Sequence, residues 1–363
     1  MKPDHVQNTP NSPGKYLHIC LCFMPLSLFV VMGFAIYRRG WWLLLPIVFL
    51  QVVLPMLDFV TGWQDRTKFE KKDFSAFEIF LLHWNTRLYA ICYLTTVIGL
   101  AVNLHHFSPI EIGLLIGGCS LLGGICFGAA HELLHTQSAI DQILQQITTI
   151  FLFYPHYKLI HIRSHHLNVG TDEDENTAWL NESVYAYFAR TIPGSAARSW
   201  HLEARRYASK GQSSIIRNKM FKYVFSQLAL LALLYIISGP LGLLFYLAQI
   251  FGAHIVLESV NYIQHYGLMR EQQDGKYEKT AAEHSWDTYH FFSSYVTFRV
   301  GHHSYHHLAV EPYYLLDVEP EAPKLPAGYF WCIPVVFLPP WWRHIVNPKL
   351  KPVSLQPSPS QAF

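Results

Sequence analysis

An apolar segment ends in Gly128-Ala129-Ala130 and runs directly into His131-Glu132-Leu133-Leu134-His135; a second histidine group follows at His161-Ile162-Arg163-Ser164-His165-His166. Residues four apart on a helix lie one above the other, so His131 with His135, and His161 with His165, are each expected to form a two-nitrogen claw. His166 then points about 100° away from His165, because a helix turns once in 3.6 residues. A fan of that width suits two metal ions better than one. Working outward, Asn261-Tyr262-Ile263-Gln264-His265-Tyr266-Gly267 closes the last long apolar run, and Gly301-His302-His303-Ser304-Tyr305-His306-His307 repeats histidine at i, i+3 and i+4.

The candidate metal ligands are therefore His131, His135, His161, His165, His166, His265, His303, His306 and His307. One metal cannot use so many nitrogens, whereas two can share them and keep a position open. Neutral imidazole suits iron, zinc, copper or nickel, and the lack of thiolate ligands argues against a soft-metal or structural zinc site. A lone H-E-x-x-H is a weak signal, also found in zinc peptidases where the Glu activates water; four histidine stretches together are a strong one. His5, His18, His83, His105, His106, His156, His201, His254 and His344 have no such grouping, and His284, His290 and His302 fall between the cases.

Composition sets the environment. The 363 residues are 51% hydrophobic and only 14% charged, against roughly 25% charged in soluble domains, which indicates a membrane protein. A net charge of +2 gives no reason to expect a nucleic-acid partner. The six cysteines form no C-x-x-C pair and all but Cys332 sit in apolar runs, so neither a disulfide framework nor an iron–sulfur site is indicated. Electrons for any redox chemistry must then come from another protein.

Taken in order, residues 1–15 read as a polar tail, and residues 16–351 as one membrane domain. Its apolar helices are expected at about 16–37, 41–63, 88–104, 109–130, 221–238 and 241–264, each near the roughly 20 residues a bilayer requires. Gly117-Gly118, Gly123-Gly124 and Gly128 give the fourth helix a smooth side for close approach. Gln64–Thr86 reads as interfacial, Trp331–Trp342 as an apolar run lying in the interface, and 352–363 as a disordered tail. The fold class is all-α, an integral membrane six-helix bundle with a histidine-rich cap. Six helices put both termini on one side, and of the 27 Lys and Arg only Arg38 and Arg39 fall in loops of the other. The positive-inside rule makes the side of the termini and of all four histidine stretches cytoplasmic. Among nearby acids, Glu132, Glu258 and Asp287 are the candidates for groups that orient imidazoles in catalysis, Glu258 because a carboxyl in an apolar helix is costly; Glu311 and Asp317 are weaker candidates.

The chain resembles the membrane-bound, non-haem di-iron alkane monooxygenases, within the histidine-box superfamily that also holds the fatty-acid desaturases and xylene side-chain hydroxylases. The residues that carry the resemblance are the H-E-L-x-H box at His131 to His135, the H-x-x-x-H-H box at His161 to His166 followed by Val169 to Asp174, and the N-Y-x-x-H-Y-G-L segment at Asn261 to Leu268. Glu283-His284-Ser285-Trp286, the third box ending at His307, and Pro339-Pro340-Trp341-Trp342-Arg343 add to it. The chain departs from the family's pattern with Tyr305 in place of an Asp, Gln264 where Glu is common, and Asp287-Thr288-Tyr289-His290 in place of a more Asn-rich stretch. The resemblance implies a six-helix membrane bundle with a cytoplasmic di-iron cap, the nine histidines as ligands to two irons, and a place in the bacterial inner membrane. It implies electrons from a rubredoxin or ferredoxin with its reductase, and a hydrophobic alkyl substrate drawn from the lipid and hydroxylated at its terminal methyl. Two alternatives stay open: a desaturase or oxidative decarboxylase of fatty acids using the same irons, and a zinc intramembrane protease using His131, Glu132 and His135. A transporter fits poorly, because there is no inverted repeat or discontinuous helix.

Overall fold

The computed structural model describes residues 14–64, 69–211 and 217–350. Of the expected tails, residues 1–13 and 352–363 lie outside the described residues. The protein is mostly helical. Helices α1 (Lys15–Cys22) and α2 (Met24–Arg38) form one apolar element bent by 42° where Pro25 follows the break. Residues Arg39 and Gly40, at φ of 59° and 57°, turn the chain sharply into α3 (Gly40–Thr61), which contains a π-helical turn at Phe49–Val53. Helix α4 (Ala76–Asn103) starts twelve residues before the expected Leu88. Its start is a capping box in which Ser75 accepts from the Glu78 N–H and Glu78 accepts from the Ser75 N–H. The early turns carry His83, Asn85 and Arg87, polar enough to hide a helix from an apolarity reading.

Ser108 and Glu111 form a second capping box with Pro109 at the first helical position, and α5 (Pro109–His135) runs on past the apolar limit at Ala130. The polar region after it holds α6 (Ala139–Phe151), a short helical segment α7 (Tyr157–Ile160, a π turn at His161–His165, and His166–Asn168) and the long α8 (Val184–Ala208). The element α9 (Lys219–His265) has 47 residues broken at Gly239, where φ is 68° and Pro240 follows. At 1.5 Å per residue it would measure about 70 Å, more than twice a bilayer's hydrocarbon core. A two-stranded hairpin, β1 (Gln272–Gln273) with β2 (Lys276–Tyr277), is the one sheet among the described residues, beside two isolated bridges, Trp63 with His290 and Asp287 with Lys324. Helices α10 (Phe291–Val296), α11 (His303–Leu308), α12 (Tyr329–Val336) and α13 (Pro339–Val346) complete it.

Four helices, α3, α4, α5 and α9, are long and apolar enough to cross a membrane, and the bent α1–α2 pair makes a fifth. Their outer faces carry Phe59, Val30, Phe225 and Ile236, all exposed as a lipid-facing side chain would be. Glycines set the tightest contact of the bundle: a Cβ on Gly123 would lie 2.7 Å from Ala253 Cβ, and one on Gly124 2.2 Å from Val256 Cγ1, so α5 and the second half of α9 touch nearly backbone to backbone. The sharp turns gather at one end. The Arg39 guanidinium sits 4.6 Å from the Phe107 ring, the Gly40 N–H donates to Glu111, and Gly242 abuts Ala101. The histidine boxes lie at the other end.

Candidate metal centre

Helix α5 delivers His131 and His135 on its last turn with ring centroids 5.0 Å apart, as their spacing requires. In α7 the expected claw of His161 with His165 is replaced. The backbone widens there into a π turn, in which residues five apart rather than four come over one another. His166 Nε2 therefore lies 2.9 Å from His161 Nε2, and His165 turns to a different group. The histidines converge as two sets: His131, His135, His161 and His306 in one, His165, His265, His303 and His307 in the other. Within each set one ring nitrogen from every residue lies within 4.8 Å of the rest. Helix α11 serves both, since His303 and His307 share a face while His306 points across to His131 at 3.1 Å. His166 sits between the sets, 3.1 Å from His306 Nε2 and with its ring 4.8 Å from that of His307.

These contacts join Nε2 to Nε2, including His265 with His303 at 3.0 Å and His135 with His161 at 3.2 Å. Two neutral imidazoles can share one proton, but four converging lone pairs cannot all be satisfied among themselves. A cation at the centre of each set satisfies all of them. Burial, reinforced by the neighbouring imidazoles, lowers His166 to about 3 and pushes His161, His303, His306 and His307 well below the usual histidine range. They are thus neutral, the form that binds metal. An all-nitrogen donor set without thiolate fits a pair of divalent transition metals, iron among them.

The far nitrogen of His165 is held by Asp174, with Nδ1 and Oδ2 2.9 Å apart; Asp174 in turn accepts from Thr177 Oγ1 and the Asn176 N–H. Sequence reasoning passed over this residue, although Asp172-Glu173-Asp174 directly follows the second box. The carboxylates it favoured instead bind the frame around the histidines. Glu132 accepts the Tyr313 N–H at 3.2 Å, tying α5 to the segment after α11. Asp287 accepts from the N–H and hydroxyl of Ser304 and from the Tyr289 hydroxyl, fixing the start of α11, while burial raises its carboxyl to about 7. Glu258 accepts from Asn261 Nδ2 at 3.2 Å. Glu311 is exposed, and Asp317 receives the His302 ring on its carbonyl. His284 faces Glu278, and His290 bonds Trp63 and Thr288, so these and His302 stay outside the two sets.

A narrow cavity of about 50 Å³ reaches the histidines from the bundle. Its outer walls are Gly124, Ile125 and Gly128 of α5, Val256, Leu257 and Val260 of α9, and Phe330 and Ile333 of α12; its inner end carries His131, His161, His165 and His303. From Gly124 to His131 the wall rises about 10 Å. An apolar passage between membrane helices thus opens onto both histidine sets.

The family model for fatty acid desaturase matches residues 107–321, more than half of the chain and all four histidine stretches. The chain belongs to the fatty acid desaturase family. Within it, the chain is 30% identical to alkane 1-monooxygenase 2 of Pseudomonas aeruginosa over 92% of its own length and 90% of the relative's. It is 34% identical to alkane 1-monooxygenase 1 of the same organism and 33% identical to the alkane 1-monooxygenase of Ectopseudomonas oleovorans, in alignments covering 66% and 69% of this chain. Those two alignments span 64% and 63% of the relatives, just under two thirds. The hydroxylase component of a xylene/toluene monooxygenase from Pseudomonas putida is 28% identical over 67% of the chain and 66% of the relative. This member of the desaturase family thus joins helices long and apolar enough to cross a membrane to a histidine-rich centre suited to two metals.

Proposed function

We propose that the chain is a di-iron monooxygenase that uses O₂ and two electrons to hydroxylate the terminal methyl of an alkane or alkyl chain. The observation that carries this is the cavity: apolar walls lead from the bundle interior to nitrogens of both histidine sets. The balance per turnover is R–CH₃ + O₂ + 2e⁻ + 2H⁺ → R–CH₂OH + H₂O. The nine histidines would hold two irons, and the irons, when bound, would supply the activation of O₂. The protein's own residues do the rest. The walls at Gly128, Val256 and Leu257 seat an alkyl chain with its end at the histidines and keep bulk water out, and Asp174 holds His165 in one tautomer.

In this account α9 crosses twice, with Gly239 at the turn, giving six passages of the bacterial inner membrane and a cytoplasmic metal site. Electrons arrive from a rubredoxin or ferredoxin with its reductase. Desaturation is the second reading, favoured by the family match across residues 107–321. The protease alternative is disfavoured, because the Glu132 carboxylate is engaged by the Tyr313 backbone and does not line the cavity. Metal analysis of the detergent-purified protein, followed by feeding octane or a fatty acid with a reductase and rubredoxin, tests the proposal. About two irons per chain with 1-octanol formed agrees with it. An unsaturated acid would move the reaction to the second reading, and one zinc without iron would end both.

A further inference from the structure

On the buried side of α8, Tyr187, Thr191, Ser195, Ser199 and Glu203 recur every four residues, each no more than 1% exposed. A four-residue step advances about 40° round a helix, so neighbours stay adjacent in a slowly winding stripe, with a hydroxyl or carboxyl at every turn where apolar side chains would ordinarily pack. The stripe joins two places. At one end Glu203 borders a polar surface cleft with Gln142, Gln145, Lys158 and Lys219, and its carboxylate meets the half-exposed Arg206. At the other end Tyr187 donates to the Asn176 carbonyl and lies against Glu258. The Glu258 carboxyl is 1% exposed; Oε2 takes Asn261 Nδ2 and Oε1 has no partner. Asn261 and Asn176 both line the cavity at its histidine end.

Small size alone does not explain the pattern. Alanine would fill the space of the serines, and a buried carboxyl at each end would be costly. Thr191 donates to the Glu175 carbonyl and Ser195 to the Ile192 carbonyl, whereas Ser199 Oγ on the stripe, and Asn176 Oδ1 and Glu258 Oε1 at its inner end, are buried without a hydrogen-bond partner and keep bonding capacity that water can fill. Successive hydroxyls on such a stripe stand about 5–6 Å apart, a gap that one bridging water closes, and each hydroxyl can both donate and accept.

We propose that this stripe is the proton inlet of the site and that Glu258 is its terminal donor. The inference rests on the monooxygenase reading, whose balance consumes two protons with two electrons from a one-electron iron protein. For each proton, the O–H bond of a protonated Glu258 carboxyl would break and an O–H bond would form on a cavity water held by Asn261 and Asn176. That water passes its own proton on toward the oxygen leaving as H₂O. The carboxylate is recharged along α8 from Glu203. Tyr154 from the turn before α7, Tyr157 at its first position, Tyr187 and Arg190 from α8, and Asn261 are the groups that face Glu258.

The test uses the full-length protein in detergent with Glu258→Gln, Glu258→Asp and Thr191→Val, the last removing a hydroxyl at nearly constant shape. Infrared difference spectra in H₂O and D₂O report whether Glu258 carries an exchangeable proton, without any turnover. The expected result is a carboxyl band that shifts promptly in D₂O, is absent from Glu258→Gln and exchanges slowly in Thr191→Val. With iron content unchanged, kcat for octane falls about 100-fold in Glu258→Gln while KM holds, and Glu258→Asp recovers part of it. Unchanged kcat and an unchanged spectrum in Glu258→Gln would overturn the proposal, as would kcat losses in every variant that track lost iron. If the wild-type protein oxidises no alkyl substrate, the monooxygenase reading fails, and the exchange rate of the Glu258 band still decides the inlet.

Discussion

Asp174 and Glu132 are both acids beside a histidine box, and they do different things. Asp174 grips an imidazole, whereas Glu132 grips a backbone N–H. Asp174→Asn is therefore expected to weaken metal retention by about 10–100-fold, the usual cost of losing an outer carboxylate on a ligating histidine. Glu132→Gln should leave retention nearly unchanged. Chelator titration of the iron-loaded variants distinguishes them, and equal losses would remove the special role of Asp174. The grouping of the histidines was legible because most of them recur at short intervals within three boxes, with His265 standing alone at the end of the last apolar run. Their division into two sets was not, since it depends on the π turn at His161–His165. Nor was the partner of His165, which is set by the tight loop around Asp174 to Thr177.

The apolar helices were legible as elements because long runs without charge have few other solutions. Helices α6 and α8 were not. Helix α6 points Ile140, Ile143 and Ile147 outward and buries Asp141, Gln145 and Thr148, the reverse of a soluble amphipathic helix, so a polar region hid an ordered one. The glycines of α5 separate into two uses. Gly124 has no room for a Cβ against Val256, and Gly124→Val should cost about 1–3 kcal/mol, read as a lowered Tm in detergent. Gly128 meets nothing nearer than 3.5 Å and lines the cavity, so Gly128→Leu should retain iron and the fold while losing octane turnover. Unimpaired turnover in Gly128→Leu would place the substrate elsewhere.

At the scale of the molecule, the end bearing the sharp turns and the end bearing the histidine boxes are distinct. The histidine end also carries buried neutral groups apart from the metal sets. Burial lowers His156 and His290 from 6.5 to about 4 each. The unfolded chain takes up protons on these residues below pH 6.5 while the folded chain does not, so stability is present above 6.5 and drains as pH falls from 6.5 toward 4. Melting of the metal-free protein at pH 7 and pH 5 should show the lower Tm at pH 5, and His290→Gln should shrink the difference; equal Tm values would contradict the burial of these neutral rings. The central claim is that the cavity brings an alkyl chain end to two irons that insert oxygen from O₂. The most direct measurement is turnover of octane under isotopically labelled dioxygen, with the label sought in the product. The account predicts 1-octanol carrying the label in its hydroxyl; an alcohol whose oxygen comes from water, or a product without added oxygen, would contradict it.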